Sequence, residues 1–71
     1  MKDYAAVFEK TSTGWSAYCP DLPGLGVAGP NYEATEKLLS GGIAFHIEGM
    51  IADGDPIPEP TTRVARMPIC T

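Results

Sequence analysis

From Asp3 to Glu9 the side chains alternate, with Tyr4, Ala6 and Phe8 on one side and Ala5, Val7 and Glu9 on the other. This is the period of a half-buried strand. Lys10 to Gly14 reads Lys-Thr-Ser-Thr-Gly, all turn and loop chemistry, and alternation resumes from Trp15 to Cys19, where Trp15, Ala17 and Cys19 oppose Ser16 and Tyr18. The pattern predicts an antiparallel hairpin closed by a loop of about four or five residues. Pro20-Asp21-Leu22-Pro23-Gly24 stops the second strand, and Pro23-Gly24 suits the centre of a type II turn. Leu25 to Gly29 then reads as a short third strand with Leu25 and Val27 on one face.

Asn31 is a favoured N-cap, and Glu33 and Glu36 place negative charge where a helix dipole favours it. Tyr32, Thr35, Leu39, Gly42, Ile43, His46, Ile47 and Met50 recur at steps of three and four, an apolar stripe roughly six turns long that faces the sheet. The helix is expected to end near Ile51 or Ala52, with Asp53-Gly54 as a left-handed cap and Pro56 barring continuation. Gly41, Gly42 and Gly49 cost about 0.5–1 kcal/mol each inside a helix, so close approach to the sheet or to a partner is expected at Gly42, which lies on the stripe. Gly41, off the stripe, is expected to mark a bend. Pro56, Pro58 and Pro60 predict an extended connector. A fourth, edge strand is expected over Thr61 to Met67, with Thr62, Val64 and, beyond Pro68, Ile69 as β-compatible positions. The order β-β-β-α-β gives an α+β two-layer domain, an antiparallel sheet covered by one long helix, over residues 1–71.

At 71 residues the chain has room for one core, and folding buries only about 60% of the extended chain's surface. Hydrophobic residues at 44% and charged residues at 20% are ordinary globular usage, which argues against a disordered tail. No apolar run is long enough for a membrane helix, and the start, with Lys2 followed by polar residues, does not read as a signal peptide. A cytoplasmic location is expected. The net charge of −4 comes from nine acidic against five scattered basic residues. That is the wrong sign for nucleic acid and permits docking onto a basic protein.

Cys19 and Cys70 lack metal-site spacing, so both read as reduced thiols, Cys19 as a small apolar residue of a strand and Cys70 as a terminal thiol. His46 stands on the apolar stripe with no nucleophile or acid spaced to organise it, and reads as a helix histidine near the edge of the core. Asp3, Glu9 and Asp21 are the acids near the sheet, and solvated strand ends and turns account for them better than a two-metal site. No catalytic residue, cofactor or metal ligand is expected. Trp15 and Tyr18 fall on opposite sides of their strand, so only one of them can pack under the helix. The other is expected to be exposed or covered by a partner, and Trp15, Tyr18, Asp21 and Leu22 are the candidate partner-binding residues. A domain this small also gains by pairing an edge strand or its open sheet face with a copy, so a homodimer or higher oligomer is expected.

Taken together, Gly14-Trp15, Tyr18, the run from Pro20 to Gly24, Gly29 before the helix cap, and the run from Asp53 to Pro60 resemble the HicB family of antitoxins over roughly residues 2–62. The resemblance implies a partial ribonuclease H-like fold, which the placement of Asp3, Glu9 and Asp21 makes read as a scaffold without catalysis. The resemblance also implies a partner, a small basic ribonuclease toxin of the HicA family whose active site the domain would cover. Family members commonly carry a C-terminal DNA-binding module, and only eleven residues follow Pro60. Operator binding by this chain alone is therefore not expected. The alternative is an orphan oligomeric domain of this type with no toxin.

Overall fold

The computed structural model describes residues 3–70. Three short strands, β1 (Val7–Lys10), β2 (Trp15–Tyr18) and β3 (Gly26–Gly29), are followed by a single helix, α1 (Tyr32–Asp53). The strands form an antiparallel meander in the order β1-β2-β3. Phe8 stands opposite Ala17 and Ala17 opposite Val27, while Val7, Tyr18 and Gly26 line up across the other face. Side chains of one strand alternate between faces, so this register puts Phe8, Ala17 and Val27 under α1. The α+β class and its single covering helix are as the sequence pattern predicts.

The connections follow the predicted chemistry. The hairpin loop is tied by the Thr11 N–H to the Gly14 carbonyl at 2.9 Å and by the Gly14 N–H to Thr11 Oγ1 at 3.1 Å. The Leu25 N–H reaches the Leu22 carbonyl at 3.3 Å with Gly24 at φ 85°, the left-handed third residue that a type II turn needs after Pro23. Asn31 caps α1 by accepting the Ala34 N–H at 2.8 Å. At the other end Gly54, at φ 75°, donates to the Ile51 carbonyl, and the Asp55 N–H reaches back to Met50 at 2.9 Å. This pair of bonds is a Schellman closure.

The core consists of Ala17, Cys19, Leu22 and Leu39, with Tyr4, Ala6, Phe8, Leu25, Val27, Ile43 and Ile47 packed around it. Tyr4 and Ala6 thus share Phe8's face as the alternation predicts, although the β1 ladder begins only at Val7. The reason lies opposite them. Beyond Tyr18 the partner chain enters Pro20, which has no N–H to donate, and turns away. Along α1 the predicted stripe is the buried side from its second member on: Tyr32 is exposed, Thr35 and Leu39 are buried, and Gly42, Ile43, His46, Ile47 and Met50 are half-buried. Gly42 faces β3, and a Cβ there would lie 3.0 Å from Leu25 Cδ1, so this glycine does sit at a close approach. Gly41 has nothing within 4 Å, and α1 runs unbroken through it.

The fourth strand does not form among the described residues. Residues 55–70 are without regular structure. Pro56, Pro58 and Pro60 alternate, so in an extended chain they remove every N–H donor along one edge, and no ladder can start there. The segment instead becomes a strap. The Tyr4 hydroxyl donates to the Pro58 carbonyl at 2.6 Å, and the Thr62 N–H, which a strand partner would use, goes to an Asp21 carboxylate oxygen at 3.0 Å.

Helix and sheet meet most tightly at Gly29, where a Cβ would lie 2.6 Å from Thr35 Oγ1 and 3.0 Å from the Thr35 backbone nitrogen. Gly29→Ala therefore lowers the melting temperature. Gly41→Ala, with nothing within 4 Å of the added methyl, raises it through a helix-propensity gain of about 1 kcal/mol, roughly 4–8 °C in a domain of this size. Thermal unfolding followed by circular dichroism measures both, and the opposite order would refute this docking geometry.

Candidate functional site

The four residues singled out from the sequence do not form one patch. Trp15 lies on the helix side, its ring 5.4 Å from that of Tyr32 in an edge-to-face contact, and Tyr32 also lies 4.6 Å from Phe8. The indole thus belongs to an aromatic cluster that seats the first turn of α1 on β1 and β2. Leu22 is 0% exposed and is part of the core, so its side chain is not available to a partner. The sequence reading misses this because a leucine between two prolines looks like a loop tip. The turn folds it inward because burying such a side chain is worth about 1.5–3 kcal/mol, more than a small domain can forgo.

Asp21 is occupied by its own chain. It accepts the Thr62 N–H at 3.0 Å, the Thr62 hydroxyl at 2.9 Å and the Thr61 hydroxyl at 3.1 Å. These bonds, led by the Thr62 N–H, hold the carboxyl below the usual aspartate range, because each of them favours the charged form. Asp21 is thus the latch of the strap. Tyr18 alone of the four projects freely, 42% exposed on the face away from α1. Glu9, Gly26 and Ala28 are exposed on the same face, so the sheet offers a shallow surface with an aromatic at the end of its middle strand and a carboxylate diagonally across from it on β1.

A second surface lies at the far end of α1. Pro23, from the turn before β3, and the last turns of the helix enclose an open groove of about 440 Å³ lined by Phe45, His46, Gly49, Met50, Asp53 and Asp55. Phe45 is 78% exposed. The signal was present in the sequence, since Phe45 falls off the core stripe, but periodicity alone does not say that an aromatic left outside the core adjoins a turn proline. His46 lines this groove half-buried, at the edge of the core as expected. Among the described residues no three His, Cys, Asp or Glu side chains are placed to hold a metal ion.

The two thiols differ. Cys19 is buried and Cys70 exposed. Burial pushes the Cys19 thiol above its ordinary value, with the Asp21 charge adding to the effect, so the thiolate that reacts is scarce there. One equivalent of a thiol reagent is expected to react rapidly, at Cys70, and the second only on unfolding. For Asp21, the folded state holds its proton less tightly than the unfolded chain. Its contribution is therefore full above about pH 3.9 and is lost as the pH falls through the lower folded value. The Thr62 amide proton resonance is expected to follow that titration and to stop titrating in Asp21→Asn. A Thr62 amide indifferent to acid in the native protein would show that the latch is not closed.

Sequence comparison adds relatives. The chain is 34% identical over 56 residues to an uncharacterized 14.9 kDa protein of the rep-hol intergenic region of Haemophilus phage HP1 (strain HP1c1), a match that covers 79% of this chain and 42% of the phage protein. The chain thus spans less than half the length of that relative. It is 31% identical over 58 residues to a UPF0150 protein of Synechocystis sp. (strain ATCC 27184 / PCC 6803 / Kazusa), across 80% of this chain and 73% of the relative. No family model and no solved structure matches the chain. The second match covers four fifths of this chain and more than two thirds of the relative, and the chain belongs to the UPF0150 family.

Proposed function

We propose that this chain is an antitoxin-like protein-binding domain that neutralises a HicA-type ribonuclease by covering its active site. The observation that carries the reading is the uncovered sheet face, where Tyr18 stands 42% exposed with Glu9 diagonally across from it on β1. An exposed aromatic on a rigid sheet is a favoured protein anchor, because its large area is immobilised at low entropic cost. The net charge of −4 favours association with a basic toxin. The resemblance of the Pro20–Gly24 and Asp53–Pro60 runs to HicB antitoxins supports the same reading, as does membership of UPF0150, a family related to HicB-like proteins. Occlusion asks for no chemistry from the domain itself, only for a stable surface of the right shape and charge. The same face would serve a cytoplasmic antitoxin.

The test is co-expression with a small basic protein encoded beside this chain, followed by co-purification and an RNA cleavage assay. Tight association with loss of cleavage is expected. Tyr18→Ala is expected to weaken binding by about tenfold or more, the scale of an interface aromatic, while leaving the melting temperature within a few degrees of the native value. A neighbouring toxin neither bound nor inhibited would overturn the reading and favour the oligomeric domain without a toxin.

A further inference from the structure

Beyond Thr62 the chain leaves its own body. Residues 63–70 are all exposed, and they carry Val64, Met67 and Ile69 at 64%, 79% and 83% exposure. A radius of gyration of 13.9 Å exceeds the roughly 11 Å of a compact chain this long. The longest axis, 49 Å, is well beyond the other two at 28 and 19 Å. The arm therefore does not close over its own domain, and its apolar side chains face water. The groove at the end of α1 has the matching deficit, because its Phe45 is 78% exposed.

Charge is complementary between the two. The arm holds Arg63 and Arg66 and no acidic residue, in a chain that has only five basic residues. The groove is edged by Asp53 and Asp55 and includes no Lys or Arg. We infer that residues 63–70 of one copy dock in the Phe45 groove of a second copy, giving a reciprocal, two-fold dimer joined by exchanged arms. Eight extended residues reach about 26–29 Å, enough to cross from one body to a neighbour. Pro68 limits the conformations the arm gives up on docking. The latch at Asp21 fixes where the arm departs, so both arms of a pair leave in a defined direction. Exchange of identical segments closes on itself, so each copy both gives an arm and receives one. The groove and the open sheet face are different surfaces, and this dimer does not rest on the antitoxin reading.

The experiment is sedimentation equilibrium of the full chain, of Phe45→Glu, which alters the groove, and of the double variant Val64→Glu, Met67→Glu, which alters the arm. The native chain is expected to be a dimer, and each variant is expected to dimerise at least about tenfold more weakly, the scale of exposing one large apolar side chain. A mixture of the two variants is expected to recover dimer, because one native arm then meets one native groove. All three altered positions are well exposed, so an unchanged helical circular dichroism spectrum separates lost docking from lost folding. A native chain that stays monomeric overturns the inference, including the case in which Phe45 is covered by the arm of its own copy. So does a dimer indifferent to both variants, which would point to strand-edge pairing.

Discussion

The structure turns on the seating of one threonine. Thr35, 0% exposed, donates its hydroxyl to the Asn31 carbonyl at 2.8 Å and lies 3.4 Å from the Trp15 carbonyl. A hydroxyl buried this deeply is tolerated only because it is hydrogen-bonded. It reaches that place only because Gly29 offers no side chain. Gly29 must in turn be approached closely by Gly14, where a Cβ would run into the Gly29 carbonyl oxygen. The end of the hairpin loop, the end of β3 and the first turn of α1 are thus locked at one point, and the direction of the 22-residue helix across the sheet is set there. Asn31 and the cluster of Phe8, Trp15 and Tyr32 hold the same corner from outside.

What that corner decides is how the apolar surface is divided. Once α1 lies over β2 and β3, Ala17, Cys19, Leu22 and Leu39 are sealed, and a sheet of three strands has no second layer to offer its other face. Tyr18 is left there. The helix is also longer than the sheet is wide, so its last turns overhang and meet only the Pro23 turn, which leaves a groove rather than a packed interface. Both surfaces are what the packing of one helix on three strands leaves uncovered among the described residues. Small domains commonly cover such surfaces by association.

The strap shows how local chemistry overrules propensity. Val64 and the threonines before it favour a strand, yet a strand requires a partner edge and free donors. Three alternating prolines have removed the donors, and Asp21 takes the N–H of Thr62 that would have been next in line. A carboxylate bonded by one amide and two hydroxyls at the surface is a modest anchor. It is nonetheless what carries the chain from the end of α1 back across to the Pro20 turn and launches residues 63–70 outward.

The sequence alone determined the three strands, the helix and the turns that join them, but not the fate of residues 61–67, where the expected strand does not form. Alternation at Tyr4, Ala6 and Phe8, Pro23-Gly24, the Asn31 cap and the Gly54 closure are local rules, because each depends on backbone preferences and hydrogen bonds within a few residues. The buried stripe of α1 was legible for the same reason, since periodicity is a property of the helix itself. Tertiary structure decided the fates of individual surface candidates. Leu22 became core, Trp15 became packing, Asp21 became a latch and Tyr18 stayed free, although all four lie within eight consecutive residues. Those outcomes depend on what the rest of the chain places opposite each side chain, and no local pattern carries that information.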